Sequence, residues 1–555
     1  MLPIERRLRS GPAEALRLFH TARHLKPVQI YGRLRSRLDR ARPDGSPAPT
    51  LRARVGTCVP AVPRPASLLT RWQVRFLNED GEIAGAAQWN DPGKPKLWLY
   101  NLHYFDDLGA PADAERRGLQ RELVARWISE NPPGKGNGWE PYPVSLRIAN
   151  WIKWALAGEP LEPAWRDSLA MQTRWLADRV EWHLLGNHVL ANAKALVLAG
   201  LFFDGAEAEG WLRAGLSIYA SELPEQILTD GAHFELSPMY HAIILEDLLD
   251  LINAARAYGE AEGQVFADLS QITTRMRLWL AAMTHPDGGL SFFNDAAFGI
   301  AASRADLEAY AARLGLAPVA ELGEGLHHLA ASGYVRVNSG EMAAILDLAA
   351  VGPDYIPGHA HADTLSFELS LGAGRIIVNG GTSTYEPGPL REAERATAAH
   401  STVEVGGESS SEVWSSFRVA RRARVRDAGI DIRGSTVTVR ASHDGYRRLP
   451  GHPLHRREWR FDGAALTITD TVTGARALHA LARVHLGMGV AAEADRAGRS
   501  GRLITAKGRQ LRWRASNAAR IEPAEWSPEF GRRTPAQTLV APFEAGILSM
   551  TLDWS

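Results

Sequence analysis

A helical domain followed by an all-β domain of sheet packed on sheet is the fold class this sequence predicts. Three observations predict it. Between about residues 108 and 316 apolar residues recur at spacings of three and four, with Pro, Gly or Asp at the breaks. After about residue 325 the runs shorten, and Val, Ile, Leu and aromatics are separated by turn residues such as Asn338-Ser339-Gly340 and Asp462-Gly463. At 555 residues the chain is too long for one ordinary core.

In chain order, residues 1–90 form a basic, then Pro- and Ala-rich arm and linker, with an evident loop from Ala41 to Pro47. Residues 91–320 make the helical domain. Its clearest segments are Arg116–Ser129, Val144–Ala157, Trp165–Trp182, His188–Phe203, Trp211–Leu223, Met239–Tyr258 and Val265–Met283. Helices of similar length with short connections suggest antiparallel hairpins, stacked or closed into a ring. Residues 325–555 make the β domain, with strands expected at Gly333–Val337, Met342–Leu348, Leu365–Leu371, Arg375–Val378, Thr436–Ala441, Glu458–Phe461, Ala465–Thr471, Leu481–His485 and Leu511–Trp513.

Composition narrows the function. The 63 basic residues balance 63 acidic ones, which argues against a general nucleic-acid binder but leaves room for a polyanion in a local basic groove. The single cysteine, Cys58, excludes an internal disulfide framework and a cysteine-based zinc cluster. No apolar stretch is long enough for a transmembrane helix, and the arginine-rich start lacks the h-region of a signal peptide, so a cytoplasmic protein is expected.

The most informative motif is Gly358-His359-Ala360-His361-Ala362-Asp363, leading into a strand-like run from Thr364 to Leu371. In an extended backbone His359, His361 and Asp363 share one side, together with Leu365, Phe367 and Leu369. Buried imidazoles at that spacing are costly unless they bind a metal or move protons. His400 is a candidate third partner, since zinc takes two or three His nitrogens with a carboxylate or amide oxygen.

Further segments carry candidate chemistry. Gly186-Asn187-His188 opens a long apolar helix, where Asn187 either caps the helix or donates its amide outward, and where the helix field favours an anion. In Asp230 to His241, Ser237 is a good N-cap and Pro238 suits the first helical position. Tyr240 then falls in the first turn, where the helix field nudges its phenol toward phenolate, in the company of His233, Glu235 and His241. Trp139 and Tyr142 offer aromatic surfaces, and Arg147 a guanidinium for a carboxylate. Tyr385 follows Gly380-Gly381-Thr382-Ser383-Thr384. Glu235 and Asp295 are the available carboxylate pair for a glycoside hydrolase, and a non-catalytic polysaccharide-binding protein is a third reading.

Taken together, these segments resemble the heparinase II/III-like polysaccharide lyases. The resemblance rests on Gly186-Asn187-His188, Ser237-Pro238-Met239-Tyr240-His241, and Gly358 to Asp363 with His400, over roughly residues 90 to 430. It implies an incomplete (α/α) toroid followed by an antiparallel β-sandwich, and cleavage of an anionic, uronic-acid-containing polysaccharide by β-elimination. Asn187 with His188 would hold the uronate carboxylate, Tyr240 would act as general acid and on some substrates also as base, and His359 as a second base. Arg147, Trp139, Tyr142, Glu235, His241 and Tyr385 would line the substrate. The resemblance also implies a structural zinc ion on His361, His400 and a third ligand at Asn379. The family generally carries aspartate at that third position, and asparagine where this chain has Ser401. Asp363 is left a supporting hydrogen-bond role.

Overall fold

The structure is a computed structural model, which describes residues 11–38, 42–260, 263–474 and 479–555. The first ten residues of the basic arm, and Ala41 of the expected loop, lie outside the described residues.

The helices run α1 (Pro12–Ala22), α2 (Pro27–Leu38), α3 (Lys96–Tyr104), α4 (Ala114–Glu130), α5 (Pro141–Leu156), α6 (Pro163–Ala177), α7 (Gly186–Phe202), α8 (Ala206–Gln226), α9 (Pro238–Tyr258), α10 (Gln264–Ala282) and α11 (Arg304–Arg313). From α3 onward alternate helices are neighbours. α3, α5, α7 and α9 form an inner arc, each touching the next, while α4, α6, α8 and α10 lie outside them. This is an incomplete (α/α) toroid. α7 is apolar nearly all round and buried along almost its whole length, because α5, α8 and α9 surround it. No helix among the described residues is long and apolar enough to cross a membrane.

The expected helix from Trp165 to Trp182 stops at Ala177. Its last residues turn back instead, and the Glu181 amide donates to Asn192 Oδ1 on α7 at 2.8 Å. That side-chain bond replaces the helical ladder and brings Glu181 to the mouth of α7.

The β region holds three larger antiparallel sheets. Strands 325–329, 334–339, 342–347, 367–371 and 374–377 pair in sequence order. A bridge from Ile377 to Leu486 continues this sheet into one made of 403–405, 480–485, 532–542 and 520–529. Facing them is an eight-stranded sheet, and side chains of both layers share one core that includes Val335, Phe367, Val439, Trp459 and Leu539. The eight-stranded sheet alternates cleanly, one face buried and one exposed, in 454–462 and 465–473. Strands 342–347 and 367–371 are buried on both faces. Their other face meets the toroid, where Tyr334 and Ile345 pack with Trp279, Met283 and Phe293.

The strand expected from Leu365 begins only at Phe367, because Leu365 takes a left-handed φ of 62°. The alternation does not run back through His361 and His359, which lie on irregular backbone at the junction of sheet and toroid.

Candidate active site

Asp295 is the hub of the site, although the sequence pattern marked it only as one of two carboxylates for a hydrolase. It follows the apolar pair Phe292-Phe293 and is fully buried. Its Oδ2 meets His359 Nδ1 at 2.9 Å and Arg391 Nη2 at 2.7 Å. Its Oδ1 meets His361 Nε2 at 2.8 Å, and the second Arg391 nitrogen closes a bidentate pair. Burial alone would raise this carboxyl, but Arg391, His359 and His361 outweigh it and hold the group well below its ordinary range. His359 and His361 thus do share a direction, set by Asp295 rather than by strand alternation.

With Asp295 on Nδ1, the His359 proton belongs there and Nε2 is left as the lone pair facing the cleft. Asn187 Nδ2 and Glu235 Oε2 each lie 3.5 Å from that nitrogen. The flat face of His359 stacks on Tyr240, with centroids 3.8 Å apart and rings 29° from parallel.

Tyr240 sits where the Ser237 cap predicts. Its backbone N–H donates to Ser237 Oγ at 3.2 Å, and Pro238 opens the helix. Its Oη is 3.1 Å from Tyr385 Oη. The expected pull toward phenolate is overturned. Burial, with Tyr385 and Tyr142 adding to it, holds the phenol well above its ordinary value, so Tyr240 rests protonated.

Asn187 does not cap α7. Its amide N–H donates to Glu235 Oε1 at 2.9 Å, and its side-chain Nδ2 meets both Glu235 oxygens at 3.1 and 3.2 Å. Gly186 permits this approach, since a Cβ there would lie 2.4 Å from Glu235 Oε1 and the backbone has a φ of +57°. His188 Nδ1 lies 3.2 Å from Glu181 Oε2, and its ring rests on Tyr142 at 4.5 Å. Burial opposes its charged form, but Glu181, helped by Glu235, raises the imidazole above its ordinary value. His188, next to Asn187 in the chain, is thereby biased toward its charged form.

Leu185, Leu236, Asn294 and Leu365 all hold positive φ, at 64°, 59°, 57° and 62°. Each lies within two residues of a segment that feeds this site, and each costs on the order of 1 kcal/mol. Asn294 uses its turn fully, accepting from the His361 amide at 3.0 Å and donating to Leu236 O at 2.9 Å. Its own amide donates to Asp363 Oδ2 at 3.1 Å.

Several expected site residues are not brought to the cleft. Arg147 is fully buried, donates to Gln172, His103 O and Gly138 O, and stacks on Trp127. Trp139 packs between Trp127 and Trp175 in the toroid core. His241 accepts from the His233 amide and meets Met276 O, so both nitrogens face backbone, and burial lowers it to about 3. Periodicity shows which helix face is inward but not whether inward means cleft or core. Conversely, Phe417 is 43% exposed and stands 5.1 Å from the Tyr385 ring and 6.0 Å from His359. No motif signalled it.

The expected zinc site is corrected. Among the described residues no group of three or more His, Cys, Asp or Glu side chains is arranged to hold a metal ion. His361 Nδ1 lies 3.0 Å from His400 Nε2, and the remaining nitrogens go to Asp295 and to Ala396 O. Asn379 Oδ1 accepts from the Ser401 amide at 3.0 Å, and its Nδ2 donates to Ser366 Oγ. The third ligand expected at Asn379 is thus turned to the Ser401 amide, and only two imidazole nitrogens, those of His361 and His400, remain facing each other. The residues do not fit the ion.

Solved structures share this architecture. A crystal structure of heparinase III superposes with a TM-score of 0.66 at 18% identity, covering 86% of this chain and 78% of the other. Heparan sulfate lyase HepC from Pedobacter heparinus gives 0.58 at 18% identity, covering 95% and 88%. At the sequence level, residues 122–312 match the model for the heparinase II/III N-terminus, and residues 321–555 that for the heparinase II/III-like C-terminal region. The chain belongs to the heparinase II/III-like family. Among curated relatives, heparin-sulfate lyase of Bacteroides stercoris is 31% identical over 112 residues, 20% of this chain and 17% of that protein. The Pedobacter heparinus enzyme of the same name is 26% identical over 185 residues, 30% and 27%. The matched stretches span less than a third of these relatives' length.

Proposed function

We propose that this protein cleaves a uronic-acid-containing, glycosaminoglycan-like polysaccharide by β-elimination. The observation that carries the reading is the stacked Tyr240–His359 pair, with a protonated phenol on one ring and, on the other, an Nε2 that Asp295 leaves without its proton, 3.5 Å from Asn187 Nδ2. The names of the heparin-sulfate lyases it resembles support the polymer class.

The proton on C5 of a uronate is barely acidic while the adjacent carboxylate keeps its charge. Asn187 Nδ2 and His188 are the groups that would hold the carboxylate and stabilise the enolate-like intermediate, a contribution that is often the largest in such reactions. His359 Nε2 takes the C5 proton where it lies on the face away from the leaving oxygen. The C5–H electrons become the C4–C5 double bond, the C4–O4 bond breaks, and O4 leaves with a proton from Tyr240. Where C5–H and O4 share a face, Tyr240 serves both steps as the phenolate, its own proton having left by way of Tyr385 to solvent: it takes the C5 proton and hands that same proton to O4 as the C4–O4 bond breaks. Asp295 fixes the His359 tautomer and Arg391 fixes Asp295.

The hydrolase reading has less support. Its two carboxylates, Glu235 and Asp295, are both buried and stand on opposite nitrogens of the one His359 ring, which occupies the space a glycosidic bond would need. The test is a panel of uronate polysaccharides followed by ultraviolet absorbance of the unsaturated product. New reducing ends without that absorbance would establish hydrolysis instead.

A further inference from the structure

The arm made by α1 and α2 precedes both family-matched regions, which begin at residue 122. It contacts segments of both domains that flank the site. On the toroid side Lys26 Nζ binds Glu225 Oε1, at the end of α8, at 2.6 Å. Gly32 packs on His183, just before Asn187 and His188, where a Cβ would lie 3.0 Å from the His183 backbone nitrogen. On the β side Lys26 sits 3.9 Å over the Tyr355 ring, and buried Gln29 donates to Tyr355 O at 3.1 Å. Trp414 Nε1 donates to Thr21 Oγ1 at 3.2 Å.

These contacts lie close to the chemistry. Tyr355 is four residues before His359, and Ile356 reaches Gly186. Trp414 shares a tight hairpin with Phe417, whose ring faces Tyr385. The arm therefore ties the loop that carries His359 and the hairpin that carries Phe417 to the end of α8 and the turn before α7. Residues 11–38 also carry six Arg or Lys against the single acid Glu14, and Arg33 is exposed beside His183.

We infer that the α1–α2 arm closes one end of the cleft, so that the site takes the end of a polysaccharide chain rather than its interior. This rests on the proposed reading of the cleft as a uronate-polymer site. An open groove lets one long chain thread through and load several enzyme molecules. A groove walled at one end admits only a terminus, and the arm's surplus of Arg and Lys suits an anionic terminal sugar.

The test uses the full-length Tyr240→Phe protein and size-fractionated heparan sulfate, hyaluronan and polyglucuronate, with stoichiometry read by calorimetry. One protein per chain at every chain length is expected. Wild-type protein should build double-bond absorbance while solution viscosity stays high. Adding Lys26→Glu and Gln29→Ala to loosen the arm should load several proteins per long chain, and in the wild-type background should make viscosity fall early. Several Tyr240→Phe molecules per chain, or a stoichiometry the arm variants leave unchanged, would overturn the inference. One protein per chain without any double-bond absorbance would sustain it and overturn the lyase chemistry instead. No binding to any polymer would overturn both.

Discussion

The imidazole of His359 lies face to face with the phenol of Tyr240, centroids 3.8 Å apart, while its two nitrogens point to Asp295 on one side and toward Asn187 on the other. One ring thus links the buried carboxylate to the cleft. Two side chains from different halves of the fold thus meet face to face.

Tyr240→Phe keeps the stacking and removes the proton donor. Elimination should fall by about 100-fold or more on every uronate polymer, with circular dichroism unchanged. Near-normal turnover would sink the mechanism.

His359→Ala should separate the two C5 epimers. Iduronate-containing substrate, whose proton lies opposite the leaving oxygen, should lose far more kcat than glucuronate substrate, where Tyr240 serves both steps. Equal losses would count against separate bases.

Asp295→Asn should leave Arg391 buried without its counter-charge, at a cost of about 3–5 kcal/mol in denaturant unfolding. The sign with pH follows from the depressed carboxyl. The stability contributed by Asp295 is fully present above the ordinary carboxylate value and is lost only as pH falls below it toward the lower folded value. His361 and His400, held by burial to about 4, act in a higher window: stability is full above about 6.5 and declines as pH falls toward 4. Urea titrations from pH 8 to 3 should show a decline between 6.5 and 4 that weakens in a His400→Gln variant. A decline of the same size in that variant would exclude the assignment.

Removal of metal should change nothing. Because the Asn379 oxygen already accepts from the Ser401 amide and no third ligand joins His361 and His400 among the described residues, chelator treatment or added zinc should leave both melting temperature and elimination rate unaltered. A chelator-dependent drop in melting temperature would reverse this correction.

Phe417→Ala removes an exposed ring at the cleft edge. Stacking on a sugar face is worth about 0.5–1.5 kcal/mol by analogy with aromatic pairs, so KM should rise roughly 2- to 10-fold with kcat nearly constant. An unchanged KM would show that the ring does not touch substrate.

Much of the fold was legible because periodicity is a local signal. The three-and-four spacing of α5, the unbroken apolar run of α7, the alternation in 454–462, and the Ser237-Pro238 start of α9 each follow from residues a few positions apart. The long strands 520–529 and 532–542 were not picked out, because charged residues and prolines interrupt their alternation. Arg147 and Trp139 were read as cleft residues for a related reason: local pattern separates inward from outward but not core from site.

By itself the sequence determined the order of helices and strands, the position of Tyr240 in the first turn of α9, and the presence of the His359 motif near its sheet. Only the tertiary structure decided that His359 and His361 converge on Asp295, that Arg391 completes the hub, that Asn187 binds Glu235 instead of capping α7, and that no zinc ligand set forms. The reason is one of range. Short-range spacing dictates which dihedrals and faces are favourable, whereas the hub joins residues 295, 359, 361 and 391, which meet only when the toroid and the double-buried strands 342–347 and 367–371 close on each other.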